Sequence, residues 1–126
     1  MMVTGGLAYV VTRPKPVTIS GAFTIIDGVS GGKECQGDDG YDDIHAGTDV
    51  VVHDASGKTI ATGRLEDGVG EQMVADVALR CRFDFTVHDV PPQKFHGIEV
   101  SHRGIVTFTS AQVAKEPIEL TLGDHG

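Results

Sequence analysis

Residues 75–89 alternate without interruption. Val77, Leu79, Cys81, Phe83, Phe85 and Val87 share one parity, while Asp76, Ala78, Arg80, Arg82, Asp84, Thr86 and His88 share the other. A period of two puts the first set on one face of a strand and the second on its reverse, giving a buried side and a wet side. A second apolar layer must then cover the inner face. The same signature recurs near the start of the chain, where Val17, Ile19, Phe23 and Ile25 alternate with Thr18, Ser20, Ala22 and Thr24. Gly21 in that run marks a bulge or a close backbone approach. Residues 48–53 and 58–65 read as two strands of a hairpin joined by a turn over Asp54, Ala55, Ser56 and Gly57.

Further along, Pro91 and Pro92 cannot donate to a ladder, so the chain leaves the sheet there. Residues 95–102 form the next strand with Ile98 and Val100 inward, and Arg103 and Gly104 turn it into residues 105–108. One helical turn over 109–115, capped by Thr109 or Ser110, precedes a last strand through Ile118, Leu120 and Leu122. Glu66, Asp67, Gly68 and Gly70 read as a turn. Residues 71–80 also fit a short amphipathic helix through Met73, Val74, Val77 and Ala78. The parity of Val77 and Leu79 favours strand from about Asp76 and leaves 71–75 open. The expected architecture is all-β: a two-sheet antiparallel Greek-key sandwich, Ig-like or transthyretin-like, of about seven strands over residues 17–123.

Residues 1–16 stand apart from that domain, and residues 124–126 form a tail. Residues 1–11 are apolar, but a helix needs roughly 20 such residues to span a bilayer. The glycine pair, Tyr9 and the Arg13, Pro14, Lys15, Pro16 exit have the character of the outer end of a membrane anchor, and a short strand or docking arm is the alternative. The net charge of −8 carries no clustered cations for phosphate, which argues against nucleic acid. The two cysteines, Cys35 and Cys81, lack the close pairing of a zinc site. They are either a bridge closing a loop of about 47 residues, stabilising by ~4 kcal/mol in an exported domain, or two buried thiols in a cytosolic one.

Residues 28–47 are too rich in glycine and aspartate for a regular element, and a loop of that length in a compact domain is commonly functional or pinned. Asp38, Asp39, Asp42 and Asp43 offer hard oxygen ligands for Ca²⁺, although Gly40 and Tyr41 break the ligand alternation of an EF-hand. The competing reading is a solvated loop in which Asp43 caps local backbone N–H groups. Tyr41, Ile44 and His45 are the other binding-loop candidates. His45, His53, His88, His96 and His102 supply imidazoles for zinc, but no spacing brings three together. Ser101 and His102 are adjacent, and neighbouring strand residues face opposite sides, so they make a poor nucleophile and base.

Taken in order, these pieces resemble the transthyretin-like sandwiches, including carboxypeptidase regulatory-like domains and collagen-adhesin B-type repeats. The matching pieces are the first strand ending at Asp27, the hairpin of residues 46–63, the strand with Cys81, Phe83, Phe85 and Val87, the proline corner at 90–92, and Phe95 to Val100. Adhesin isopeptide cross-links need a first-strand Lys, which residues 17–26 lack, and Asn or Asp on the last strand; the chain has no Asn. Three motifs are also similar to small extracytoplasmic domains of actinobacterial membrane-anchored proteins of uncharacterised function. They are Cys35, Gly37, Gly40, Tyr41, Asp43 and Ile44; then Val52, Asp54, Gly57 and Lys58; then Cys81, Phe83 and Phe85. His96 stands where such domains carry Tyr. This resemblance implies a bridge between Cys35 and Cys81 and an anchored sandwich with no nameable activity.

The resulting expectation is a non-catalytic extracytoplasmic binding or assembly module without a required cofactor. It is held to the cell membrane by its N-terminal segment and contacts a protein partner in the envelope or membrane, as an accessory subunit. The acidic loop and the region around Met73 are its expected contact surfaces. The alternative is a small-ligand or Ca²⁺-binding domain using residues 38–43.

Overall fold

The computed structural model describes residues 15–123. The N-terminal apolar segment and the 124–126 tail lie outside the described residues. The elements in chain order are β1 (Val17–Ile26), β2 (Val29–Gly31), β3 (Cys35–Gly37), β4 (Asp49–His53), β5 (Thr59–Val74), β6 (Val77–Val90), β7 (Phe95–Val100), β8 (Ile105–Thr109), α1 (Ser110–Lys115) and β9 (Ile118–Leu122). Hydrogen bonding joins the longer strands into one curled seven-strand sheet of order β8-β7-β4-β5-β6-β1-β9, and β2 pairs with β3 in a separate hairpin. The all-β expectation holds.

Two features depart from a pair of independent antiparallel sheets. The first is β5, which pairs with β4 through Thr59 to Arg64 and with β6 through Leu65 to Val74, and so belongs to both halves of the curl. Residues 66–70 therefore carry the strand on instead of turning it back. The ladder shifts register between Leu65 and Gly68, where the strand changes partner. Gly68 is buried there, and a Cβ on it would lie 2.7 Å from both Cys81 Sγ and the Phe83 ring. The second is β9, which runs parallel to β1 with Gly21 opposite Ile118. α1 causes this, because it takes the chain from β8 at one edge to β9 at the other and returns it from the end where β1 begins.

The core gathers Ile19, Phe23 and Ile25 of β1, Val50 and Val52 of β4, Cys81, Phe83, Phe85 and Val87 of β6, Ile98 and Val100 of β7, and Ile118 and Leu120 of β9. Burying each such side chain contributes about 1.5–3 kcal/mol. Gly21 is a close approach as expected, since a Cβ there would meet Ile118 at 2.6 Å and Phe85 at 2.8 Å. The alternation of β6 is buried only from Cys81 onward. Val77 and Leu79 are 55% and 45% exposed because β5 and β6 continue past the rest of the core as a projecting hairpin. On the outer face, the small residues Ala22 and Thr24 of β1 are buried. Arg82 of β6 and Glu119 of β9 flank them and approach to 3.5 Å across β1. Thr109 caps α1 in a reciprocal box with Gln112, satisfying two backbone donors at its first turn.

Candidate functional site

The acidic loop is an ordered, internally bonded segment. Cys35 on β3 is joined by a disulfide to Cys81 on β6, which lays the β2–β3 hairpin against the β5–β6 ribbon. Gly70 N–H donates to the Lys33 carbonyl at 2.9 Å, and Asp38 N–H to the Gly28 carbonyl at 2.7 Å. Beyond β3 the chain folds on itself. Ile44 N–H donates to the Tyr41 carbonyl and Gly37 N–H to the Ile44 carbonyl, both at 2.9 Å. Thr48 completes the loop, its hydroxyl donating to the Asp43 carbonyl at 2.7 Å and accepting from His45 N–H at 3.0 Å.

Asp43 is the loop's anchor to the opposite turn. Arg103 Nε donates to Asp43 Oδ2 at 2.9 Å, Arg103 Nη2 donates to Asp43 Oδ1, and the Ser101 hydroxyl donates to Oδ2 at 2.5 Å. The same Arg103 donates to the Gly40 carbonyl at 2.7 Å and lies over the Tyr41 ring at 5.1 Å. This is a fork-shaped guanidinium matched to a carboxylate and stacked on an aromatic face, the geometry for which Arg is suited and Lys is not. The hydrogen bond from Arg103 holds the Asp43 carboxyl at a pKa of about 2, with Ser101 adding to the effect and partial burial opposing it. Asp43 raises the Arg103 pKa in return.

This arrangement revises the site residues expected from the sequence. Asp43 is consumed by Arg103 and Ser101, while Asp38, Asp39 and Asp42 remain exposed. No group of three His, Cys, Asp or Glu side chains among the described residues is placed to hold a metal ion. Ile44 is not a contact residue, because it is wholly buried and belongs to the core. Tyr41 is half-buried beneath Arg103, which leaves His45 as the exposed member of that trio, its Nδ1 2.8 Å from the Ala46 carbonyl. The β7–β8 turn begins two residues earlier than expected, because β7 ends at Val100 and not at His102. Ser101 and His102 take φ of 52° and 59°, and Arg103 N–H closes the turn on the Val100 carbonyl. Ser101 is therefore bonded to Asp43 and not to its neighbour His102.

Two histidines do structural work. His53 is largely buried with Nε2 2.9 Å from Glu99 Oε1 and Nδ1 3.1 Å from the Gly57 carbonyl. Both partners offer acceptor oxygens, so the ring is held between the β4–β5 turn and β7. His96 is fully buried; its Nε2 lies 3.2 Å from the Pro91 carbonyl, which can only accept, so that nitrogen carries the proton. Nδ1 has no partner among the described residues. A depression of about 290 Å³ between β8, α1 and β9 is lined by side chains that include Phe108, Gln112, Lys115, Glu116 and Glu119, with no hydroxyl, thiol or imidazole on its walls.

The feature that sequence reasoning placed only loosely is the β5–β6 tip. Val69, Met73, Val74, Val77 and Leu79 are five large apolar side chains left exposed within one projecting hairpin. Its turn is made by Ala75 and Asp76, with Ala75 at a φ of 56°. Comparison with protein-family models, curated proteins and solved structures finds no match for this chain. No helix among the described residues is long and apolar enough to cross a membrane.

Proposed function

We propose that this chain is a non-catalytic binding or assembly module of the cell envelope. In this reading it is held at the extracytoplasmic face of a membrane by its N-terminal segment and contacts a protein partner through the tip of the β5–β6 hairpin. The observation that carries the reading is that exposed apolar tip. Val74 stands directly opposite Val77 beside the turn, with Leu79 two residues further on the same face, and large apolar side chains grouped in water are a mark of interaction sites.

The position of the tip supports the same reading. β1 begins with Val17 opposite Val90 and ends with Ile26 opposite Arg80, so the hairpin turn lies beyond the far end of β1. Ten residues of strand put roughly 33 Å between them. A tether at Lys15 would hold one end of the domain at a surface and present the apolar hairpin at the other. The Cys35–Cys81 bridge fits an oxidising compartment. The finer architecture we favour is a transthyretin-like sandwich whose two layers share β5, in keeping with the anchored sandwich that the resemblance to actinobacterial membrane-anchored domains implies. A Ca²⁺-binding role for the loop is the weaker reading, since Asp43 already has its cation in Arg103.

Affinity capture from native membranes tests the proposal, comparing the wild-type chain with a Val74→Lys, Val77→Glu variant whose opposite charges face each other across the hairpin. Both substituted side chains are exposed, so the variant should retain its thermal unfolding midpoint. The wild type is expected to bring down a second protein and the variant to lose it. A wild-type chain recovered without any other protein overturns the assembly role.

A further inference from the structure

The two edges of the curled sheet are built differently. At one edge, β9 carries Glu119 as its second residue and is entered through Glu116 and Pro117, devices that discourage strand addition. At the other, β8 reads Ile105, Val106, Thr107, Phe108, Thr109 over 5 residues, all β-branched or aromatic, without a charge or a proline. Its one neighbour among the described residues is β7. Val106 and Phe108 stand opposite the buried Ile98 and His96 and so lie on the core side of the sheet, yet Val106 is 47% exposed and Phe108 only half-buried. Among the described residues the core is open along this edge, and no strand pairs with its outer row of backbone donors and acceptors.

We infer that β8 pairs antiparallel with β8 of a second copy of this chain, with Thr107 on the two-fold axis. The strand's own sequence supports that register. With Thr107 facing Thr107, Val106 of each copy falls opposite Phe108 of the other, and Ile105 opposite Thr109. Aromatic with β-branched and threonine with threonine are favourable cross-strand pairs. The half-exposed Val106 and Phe108 then cover each other's open core edge. Charge supplies no attraction, since two copies each bear a net −8, but β8 is a strip on which they meet without apposing carboxylates. The contact is isologous and closes on itself, so it yields a dimer and not a fibre. Such short strands bury less than the roughly 1,200 Å² of a stable complex, so the association is weak and is best read by trapping.

Both native cysteines are in the disulfide, so a single introduced cysteine is the sole free thiol. Residues facing each other across an antiparallel pair have Cβ atoms about 4.5–5.5 Å apart, close to disulfide range. In the full chain under mild oxidation, Thr107→Cys is expected to form a covalent dimer at least tenfold faster than Ser56→Cys in the exposed β4–β5 turn. Adding Val106→Lys should abolish the difference. Ile105→Cys mixed with Thr109→Cys should cross-link, while each alone should not. Equal rates for Thr107→Cys and Ser56→Cys overturn the proposal. So does rapid trapping seen only after residues 1–14 are removed, an outcome that assigns the edge to the chain's own N-terminal segment.

Discussion

Asp43 ties together parts of the chain that are far apart in sequence, and the cost of losing it falls on both. The turn it holds places Ser101 and His102 at positive φ, a conformation that costs a non-glycine residue about 1–2 kcal/mol. The contacts from Ser101 and Arg103 to one carboxylate offset that cost. Because the folded pKa of about 2 lies below the ordinary value of 3.8, the carboxylate's contribution is fully present above pH 4. It fades as pH falls through 2. Asp43 is partly open to solvent, so after screening this is about 1 kcal/mol and not the full shift. Urea unfolding followed from pH 7 to pH 2 should show wild-type stability converging on that of Asp43→Asn at the acid end, and a constant gap between them would remove Asp43 as the source. Nothing in the sequence announced this pair, because 60 residues separate Asp43 from Arg103 and neither sits in a periodic pattern. Ile44 was equally hidden, as one apolar residue between Asp43 and His45 with no repeat to mark it as core.

β5 is the element on which the rest of the sheet turns. Its 16 residues serve two partners, and the crossover lies where glutamate, aspartate and glycine gave every local sign of a turn. Composition reports what a backbone tolerates, whereas the continuation of the strand is set by β6 waiting alongside it. Gly68 is the residue that makes the crossover fit, since the space a Cβ needs is occupied by Cys81 Sγ and the Phe83 ring. Gly68→Ala should cost about 1–3 kcal/mol in urea unfolding, the range for overpacking a tight core. Gly57→Ala is the comparison for steric crowding, because the space around Gly57 is open even though its φ of 89° strains any side chain. If the two variants cost the same, the backbone at Gly68 yields more easily than the geometry implies. The alternation of β6 was legible where strands cover it, from Cys81 to Val87. It misled at Val77 and Leu79, because a period of two tells which residues share a face and not whether another layer reaches that far.

At the scale of the molecule, the all-β character, the β4–β5 hairpin, the capped α1 and the proline exit were all readable, since each rests on neighbours within a few residues. The curl, the parallel β1–β9 pair and the seating of the loop were not, since each depends on which distant strand arrives at an edge. The disulfide is the one long-range tie that leaves a trace in the sequence. β2 and β3 have 3 residues each, too little for a hairpin to stand alone in water, so their position over the ribbon depends on what fastens them. A link across a separation of 46 residues restricts the unfolded chain by about 4 kcal/mol in the chain-entropy account. That is a large share of the roughly 5–15 kcal/mol that a domain has in total. The Cys35→Ala, Cys81→Ala variant should therefore lose about 3–4 kcal/mol in urea unfolding. Amide exchange should rise first in residues 29–37, because the bridge is their strongest attachment. A loss below about 1 kcal/mol would mean that the backbone bonds from Gly70 to Lys33 and from Asp38 to Gly28 suffice to seat the hairpin. The bridge would then be no guide to the compartment in which this chain folds.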